Sequence, residues 1–124
     1  MSDMNLTELE HADIVSKLTK SGQAIYEEMG ALKCDVMHHV MGVCGEVGEL
    51  LDGAKKSIIY NKPFDVVNII EELGDMEFYM QGLRHALGIT REQTLEANMQ
   101  KLVKRYPDYQ YTDKRAHDRA DKKD

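Results

Sequence analysis

Gly45-Glu46-Val47-Gly48-Glu49-Leu50-Leu51 and, further along, Glu71-Glu72-Leu73-Gly74-Asp75 are the stretches on which the reading of this chain turns. Each sets two carboxylates three residues apart, Glu46 with Glu49 and Glu72 with Asp75. In an α-helix that spacing puts both acids on one side about one turn apart, so two such helices lying face to face bring four acidic groups together. With a formal net charge of -6 on the chain, the cluster repels itself unless something positive enters it. A hard divalent cation with oxygen ligands, Mg²⁺ or Mn²⁺, meets that need.

Either pair alone is weak, because helices of acidic proteins often carry spaced carboxylates on a solvated face. Two pairs on consecutive helices, each enclosing a glycine (Gly48, Gly74), form a much more specific pattern.

The helices themselves follow from periodicity and punctuation. Val36, Val40, Cys44, Val47, Leu51 and Ala54 make an apolar stripe over residues 32–54. Glu46 and Glu49 point roughly 120° to 180° away from it at about 100° per residue. Gly42, Gly45, Gly53, His38 and Lys56 share their side. Glycine costs about 1 kcal/mol against alanine inside a helix, so several on one face imply close approach by another helix or by a ligand. His38 alone, with no converging partner on its helix, reads as a partly buried structural histidine.

The next helix spans 65–87, with Asp65 as N-cap and Gly88 just past its end. Ile69, Leu73, Met76, Met80, Leu83 and Leu87 form its stripe, with Glu72, Asp75, Tyr79 and Asn68 on the flank. Thr90-Arg91-Glu92-Gln93 is a capping box that opens a helix to about Arg105, stopped by Tyr106-Pro107. Upstream, Leu6, Leu9, Ile14, Leu18 and Ile25 predict a helix over 6–28 capped by Asn5 or Thr7, with Ser21-Gly22 its weak point and Gly30 its end. Strand and hairpin signals are missing. The expected fold is all-α, a four-helix bundle over 1–112, followed by a charged, flexible tail over 113–124 that is solvated or disordered.

Composition narrows the function. The excess of 22 Asp+Glu over 16 Lys+Arg argues against coating nucleic acid or an anionic membrane, and no apolar run approaches the roughly 18 residues needed to span a bilayer. A cytoplasmic protein is expected. Cys34 and Cys44 would lie about 15 Å apart along one helix, beyond disulfide reach, and read as reduced. Met37, Met41, Val43 and Leu50 spread apolar surface around the second helix beyond its stripe, which points to a homodimer or homotetramer.

Glu46-x-x-Glu49 followed by Glu72-x-x-Asp75 resembles the paired metal motif of the MazG-like all-α nucleoside triphosphate pyrophosphohydrolases. The similarity continues through Lys55-Lys56, Tyr79, and Asn98-x-x-Lys101-Leu102 leading to Arg105-Tyr106-Pro107, and so spans residues 36–107. The resemblance implies a bundle of that type completed by oligomerisation. It implies Mg²⁺, or Mn²⁺ in its place, held by Glu46, Glu49, Glu72 and Asp75, and cleavage of a nucleoside triphosphate between the α and β phosphates. Lys56, Lys101 and Arg105 would contact phosphates, with Asn98 and Tyr79 giving hydrogen bonds. Glu49 is the first choice for activating water. One rival is a non-enzymatic acidic helical interaction module. A more distant one is a di-iron carboxylate bundle, for which only Glu8-x-x-His11 offers the usual histidine spacing.

Overall fold

A computed structural model describes residues 8–123 of the chain. Among them all regular structure is helical: α1 (Glu8–Leu18), α2 (Gly22–Ile59), α3 (Val66–Leu87), α4 (Arg91–Arg105), the short α5 (Asp113–Asp118) and a 3-10 turn (Ala120–Lys122). The chain divides into two compact units, Met1–Cys34 and Asp35–Asp124.

In the first unit, the helix expected over 6–28 is interrupted, and hydroxyl side chains explain where. Thr19 Oγ1 donates to the Val15 carbonyl at 2.6 Å, closing α1, and Ser21 Oγ accepts from the Ala24 amide at 3.1 Å, opening α2. Such groups offer the backbone an alternative to the helical ladder. The caps expected at Asn5 or Thr7, like Leu6, lie outside the described residues. At Gly30 the backbone leaves helical geometry (φ 65, ψ 167), a conformation open to a residue without Cβ.

In the second unit, α2 runs past residue 54 to Ile59. Nothing before Asn61 stops it: Asn61 takes the left-handed conformation (φ 51), and the Lys62 amide donates back to the Ser57 carbonyl at 3.0 Å. That is a helix-ending loop with Pro63 beyond it. The Asp65 side chain then accepts from the Asn68 amide at 3.1 Å and starts α3, which ends at left-handed Gly88 (φ 66). Thr90 and Gln93 form the reciprocal capping box of α4, at 3.0 and 2.7 Å.

α2 and α3 pack antiparallel at glycines. A methyl group on Gly42 would overlap the Tyr79 ring, one on Gly82 would overlap the His39 ring, and one on Gly53 would come within 3.0 Å of Asn68 Nδ2. Each step forward from 39 to 53 on α2 is matched by one step back from 82 to 68 on α3, so a single register holds along the pair.

Residues 113–122, expected from composition as part of a solvated tail, carry α5 and the 3-10 turn. Thr112 caps α5 by accepting from the Arg115 amide at 3.1 Å, and Arg115 is ion-paired with Asp108. The turn is held to α4 by Arg105 and Asp121. Charge rather than apolar packing orders this segment.

Among the described residues no hydrophobic side chain is buried; Ser57 and Arg84 are the buried ones. The stripes that periodicity assigns to a core stay open in the single chain: Val40, Val47 and Leu51 on α2 and Leu73 and Leu87 on α3 are all exposed.

Candidate metal centre

Continuing the α2/α3 register sets Glu46 opposite Asp75 and Glu49 opposite Glu72. One carboxylate oxygen from each of Glu46, Glu72 and Asp75 lies within 4.8 Å of the other two, with Glu46 and Glu72 half-buried and Asp75 exposed. Glycine contacts upstream and downstream, at 42 with 79 and at 53 with 68, bracket this convergence and fix the gap across which the acids meet.

The electrostatics are unfavourable for three free carboxylates. Glu72 Oε2 is buried with no hydrogen-bond partner. Its carboxyl is pushed up from 4.5 to about 7, first by the hydrogen bond with the Glu46 side chain, then by loss of water, then by repulsion from Glu46, Glu49 and Asp75. Neither carboxylate brings a donor of its own, so their contact becomes a hydrogen bond only when one of them holds a proton. A divalent cation would replace that proton. The donor set fits it: oxygen ligands, more than one negative charge, and a buried lone pair aimed at nothing. No histidine joins the group, which favours a hard ion over iron.

Glu49 acts on Glu72 through its charge but is not one of the three converging carboxylates. It lines a cleft of about 330 Å³ shared with Lys56, Ser57, Lys62 and Asn68, beside the acids on the α2/α3 pair. Lys56, as the sequence suggests, is on this side, paired with Asp52 at 3.1 Å and exposed to solvent. Lys62 was not singled out from the sequence. The signal for it was present in Asn61-Lys62-Pro63, since a chain reversal after a helix turns its residues back toward the helix they leave.

Tyr79, one turn beyond Asp75, lies half-buried over Gly42 with its ring edge-on to Phe78, His38 and His39 at 5.2, 6.3 and 6.4 Å. The structural histidine is His39 rather than His38. His39 is half-buried against Gly82 with Nδ1 2.7 Å from the Asp35 carbonyl, whereas His38 is exposed. His38 stands out in the sequence because it falls on the acid side, and periodicity could not see the inter-helix gap at Gly82 that receives its neighbour.

The α4 residues are placed differently. Asn98 is exposed, and Lys101 lines a separate cleft of about 360 Å³ with Gln100, Lys104, Asp121 and Lys122. Arg105 Nε donates to Asp121 Oδ1 at 2.7 Å in a pair whose side chains are 15% and 4% exposed. The contact holds the Asp121 carboxyl below its usual range and raises the Arg105 guanidinium. Arg105 Nη2 and Asp121 Oδ2 are nonetheless buried without partners. The main backbone contact of α4 is with the 3-10 turn, so the structure gathers Glu46, Glu49, Glu72, Asp75, Lys56 and Tyr79 on one helix pair and keeps Lys101 and Arg105 with the C-terminal turn, while Asn98 stays exposed on α4. A groove of about 690 Å³ along Leu95, Met99 and Val103 of α4 is apolar and is lined by none of these acids. No protein-family model, curated protein or solved structure matches the chain.

Proposed function

We propose that the protein is a Mg²⁺-dependent nucleotide pyrophosphohydrolase that converts a nucleoside triphosphate to the monophosphate and pyrophosphate. The observation that carries this reading is the convergence of Glu46, Glu72 and Asp75 around a buried, unpartnered carboxylate oxygen. The resemblance of residues 36–107 to MazG-like enzymes supplies the choice of reaction. Glu46, Glu72 and Asp75 would hold the ion, with Glu49 at its margin. Mg²⁺ bound there would neutralise charge on the phosphates and on the leaving pyrophosphate. Mn²⁺ is the natural substitute.

The chain's own groups divide the remaining work. Glu49, close to the ligands but not converging with them, orients water and accepts its proton. Lys56 and Lys62 offer cations in the cleft beside Glu49, and Asn68 a hydrogen-bond donor. Tyr79 presents its hydroxyl one turn from Asp75. By the resemblance, Lys101, Arg105 and Asn98 would add phosphate contacts from α4, although Lys101 and Arg105 lie in their own cleft at the C-terminal turn. The free, exposed thiols of Cys34 and Cys44 suit a reducing compartment, and we place the reaction in the cytoplasm. No described helix is long and apolar enough to cross a membrane.

The exposed apolar stripes support assembly as a homodimer or homotetramer of the MazG-like bundle type, because an open stripe on each of two long helices needs a partner surface. Light scattering at micromolar concentration checks this, and a monomer would remove it. The same exposure favours a second reading, a non-enzymatic helical assembly module whose acids are a solvated face. Pyrophosphate release from a nucleotide panel with and without Mg²⁺, run beside Glu49→Gln and Asp75→Asn, separates the two. No turnover by the unaltered protein, or full turnover by both variants, rejects the hydrolase.

A further inference from the structure

The Arg105 and Asp121 pair is held in an unusual way. It is nearly removed from solvent, yet each partner keeps one buried polar atom unsatisfied, Nη2 on the arginine and Oδ2 on the aspartate. A guanidinium offers a fork of donors that two or three oxygens of an oxyanion can fill, and a carboxylate engaged through a single oxygen leaves the fork half used. Lys101 adds positive charge at the same carboxylate, and Lys101 and Lys104 line the cleft beside it.

The segment that brings Asp121 there packs its backbone against α4 and is tied to it by few polar side-chain links. α5 makes its own ion pairs, Arg115 with Asp108 and Lys114 with Asp118, neither of which reaches α4. Among the described residues, the polar links of the 3-10 turn and the Lys123 that follows it to α4 are the Arg105 pair and one hydrogen bond from Lys104 Nζ to the Lys123 carbonyl at 3.1 Å. The residues of the turn, Ala120, Asp121 and Lys122, include no large apolar side chain.

We infer that Asp121 is an internal substitute for phosphate, and that the C-terminal turn is a latch that a polyphosphate chain must displace to reach Lys101 and Arg105. The inference rests on the reading of those two residues as phosphate contacts. When the turn leaves, Arg105 exchanges one carboxylate oxygen for several phosphate oxygens, and Asp121 recovers water for its orphaned oxygen. The latch therefore sets the affinity for the phosphate chain while leaving the acids of α2 and α3 untouched.

The probe is inorganic tripolyphosphate with Mg²⁺, titrated calorimetrically into the full chain and into Asp121→Asn and Arg105→Gln. A latch closed nine-tenths of the time weakens apparent affinity about tenfold. Asp121→Asn should accordingly tighten tripolyphosphate by up to about tenfold and lower KM with kcat unchanged, while Arg105→Gln weakens binding. Weakened binding in Arg105→Gln together with unchanged or weaker binding in Asp121→Asn overturns the latch and leaves Arg105 as a phosphate contact. Unchanged binding in Arg105→Gln removes the phosphate contact, and the latch with it. The unaltered protein gives a reading that does not depend on a variant folding: tripolyphosphate should speed tryptic cleavage after Arg119 several-fold, and protection or no change overturns the proposal.

Discussion

The α2/α3 pair and the junction of α4 with the C-terminal turn both hold ionisable groups away from water, and they treat them in opposite ways. On α2 and α3 three carboxylates meet, and Glu72 is lifted to about 7 by its neighbours. At α4 a cation meets an anion, and Asp121 is held in the charged form. The first region is left electrically incomplete by its own sequence, while the second completes itself imperfectly from within the chain. An arrangement that cannot satisfy itself points to a ligand, whereas one that can satisfy itself conceals the ligand it would take.

Removing single acids breaks the comparison most strongly. Glu49→Gln should cut kcat by about 10² to 10⁴, the contribution of a positioned base, with little change in Mg²⁺ affinity. Asp75→Asn should abolish most activity and weaken Mg²⁺ by more than the roughly 10 to 100-fold typical of groups that merely support ligands. Metal titration followed by heat or fluorescence separates the two, and equal Mg²⁺ affinities in both variants would merge the roles assigned to them.

The pH dependence comes next. Glu72 binds its proton more tightly in the folded chain than at its ordinary value of 4.5, so this group's contribution to the stability of the metal-free protein is greatest below that value. That stabilisation is lost as pH rises through about 7. On the proposed reading Mg²⁺ would compete with the same proton, so added Mg²⁺ should raise the melting temperature more at pH 8 than at pH 6. Thermal melts across that range, with and without Mg²⁺, check both directions, and Glu72→Gln should flatten the metal-free dependence.

Glycines give a smaller, purely structural contrast. Gly42→Ala forces the Tyr79 ring to move and should cost about 1 to 3 kcal/mol, as overpacking does. Gly45→Ala meets nothing within 4 Å and should gain up to about 1 kcal/mol from helix propensity. Chemical denaturation of the two variants would refute the packing account if they shifted alike. Smallest of all, Lys56→Gln loses an exposed pair with Asp52 and should change stability by no more than about 0.5 kcal/mol while raising KM for the nucleotide.

Local chemistry explains how much could be read beforehand. Asp65, Gly88, the Thr90 and Gln93 box and Tyr106-Pro107 end helices through side chains a few residues away, so their roles follow from spacing. The acid pairs were legible for the same reason, and their register on opposite helices places Glu46 and Glu72 where that spacing suggests. What escaped depends on distant partners. The 113–122 segment is ordered by a contact sixteen residues apart in sequence, Arg105 with Asp121, which no periodicity encodes. Separating Glu49 from the other three acids requires the side-chain directions across a helix pair, and choosing His39 over His38 requires the gap at Gly82.

Tyr79 seated on Gly42 has a consequence for ion choice. A bare backbone position on one helix and a flat ring on the other set the helix spacing one turn away from the carboxylates. If the proposed ion binds there, its aperture would be gauged by aromatic thickness rather than by the carboxylates themselves. Retuning the chain for a larger ion would begin at positions 42 and 79, with every acid left in place.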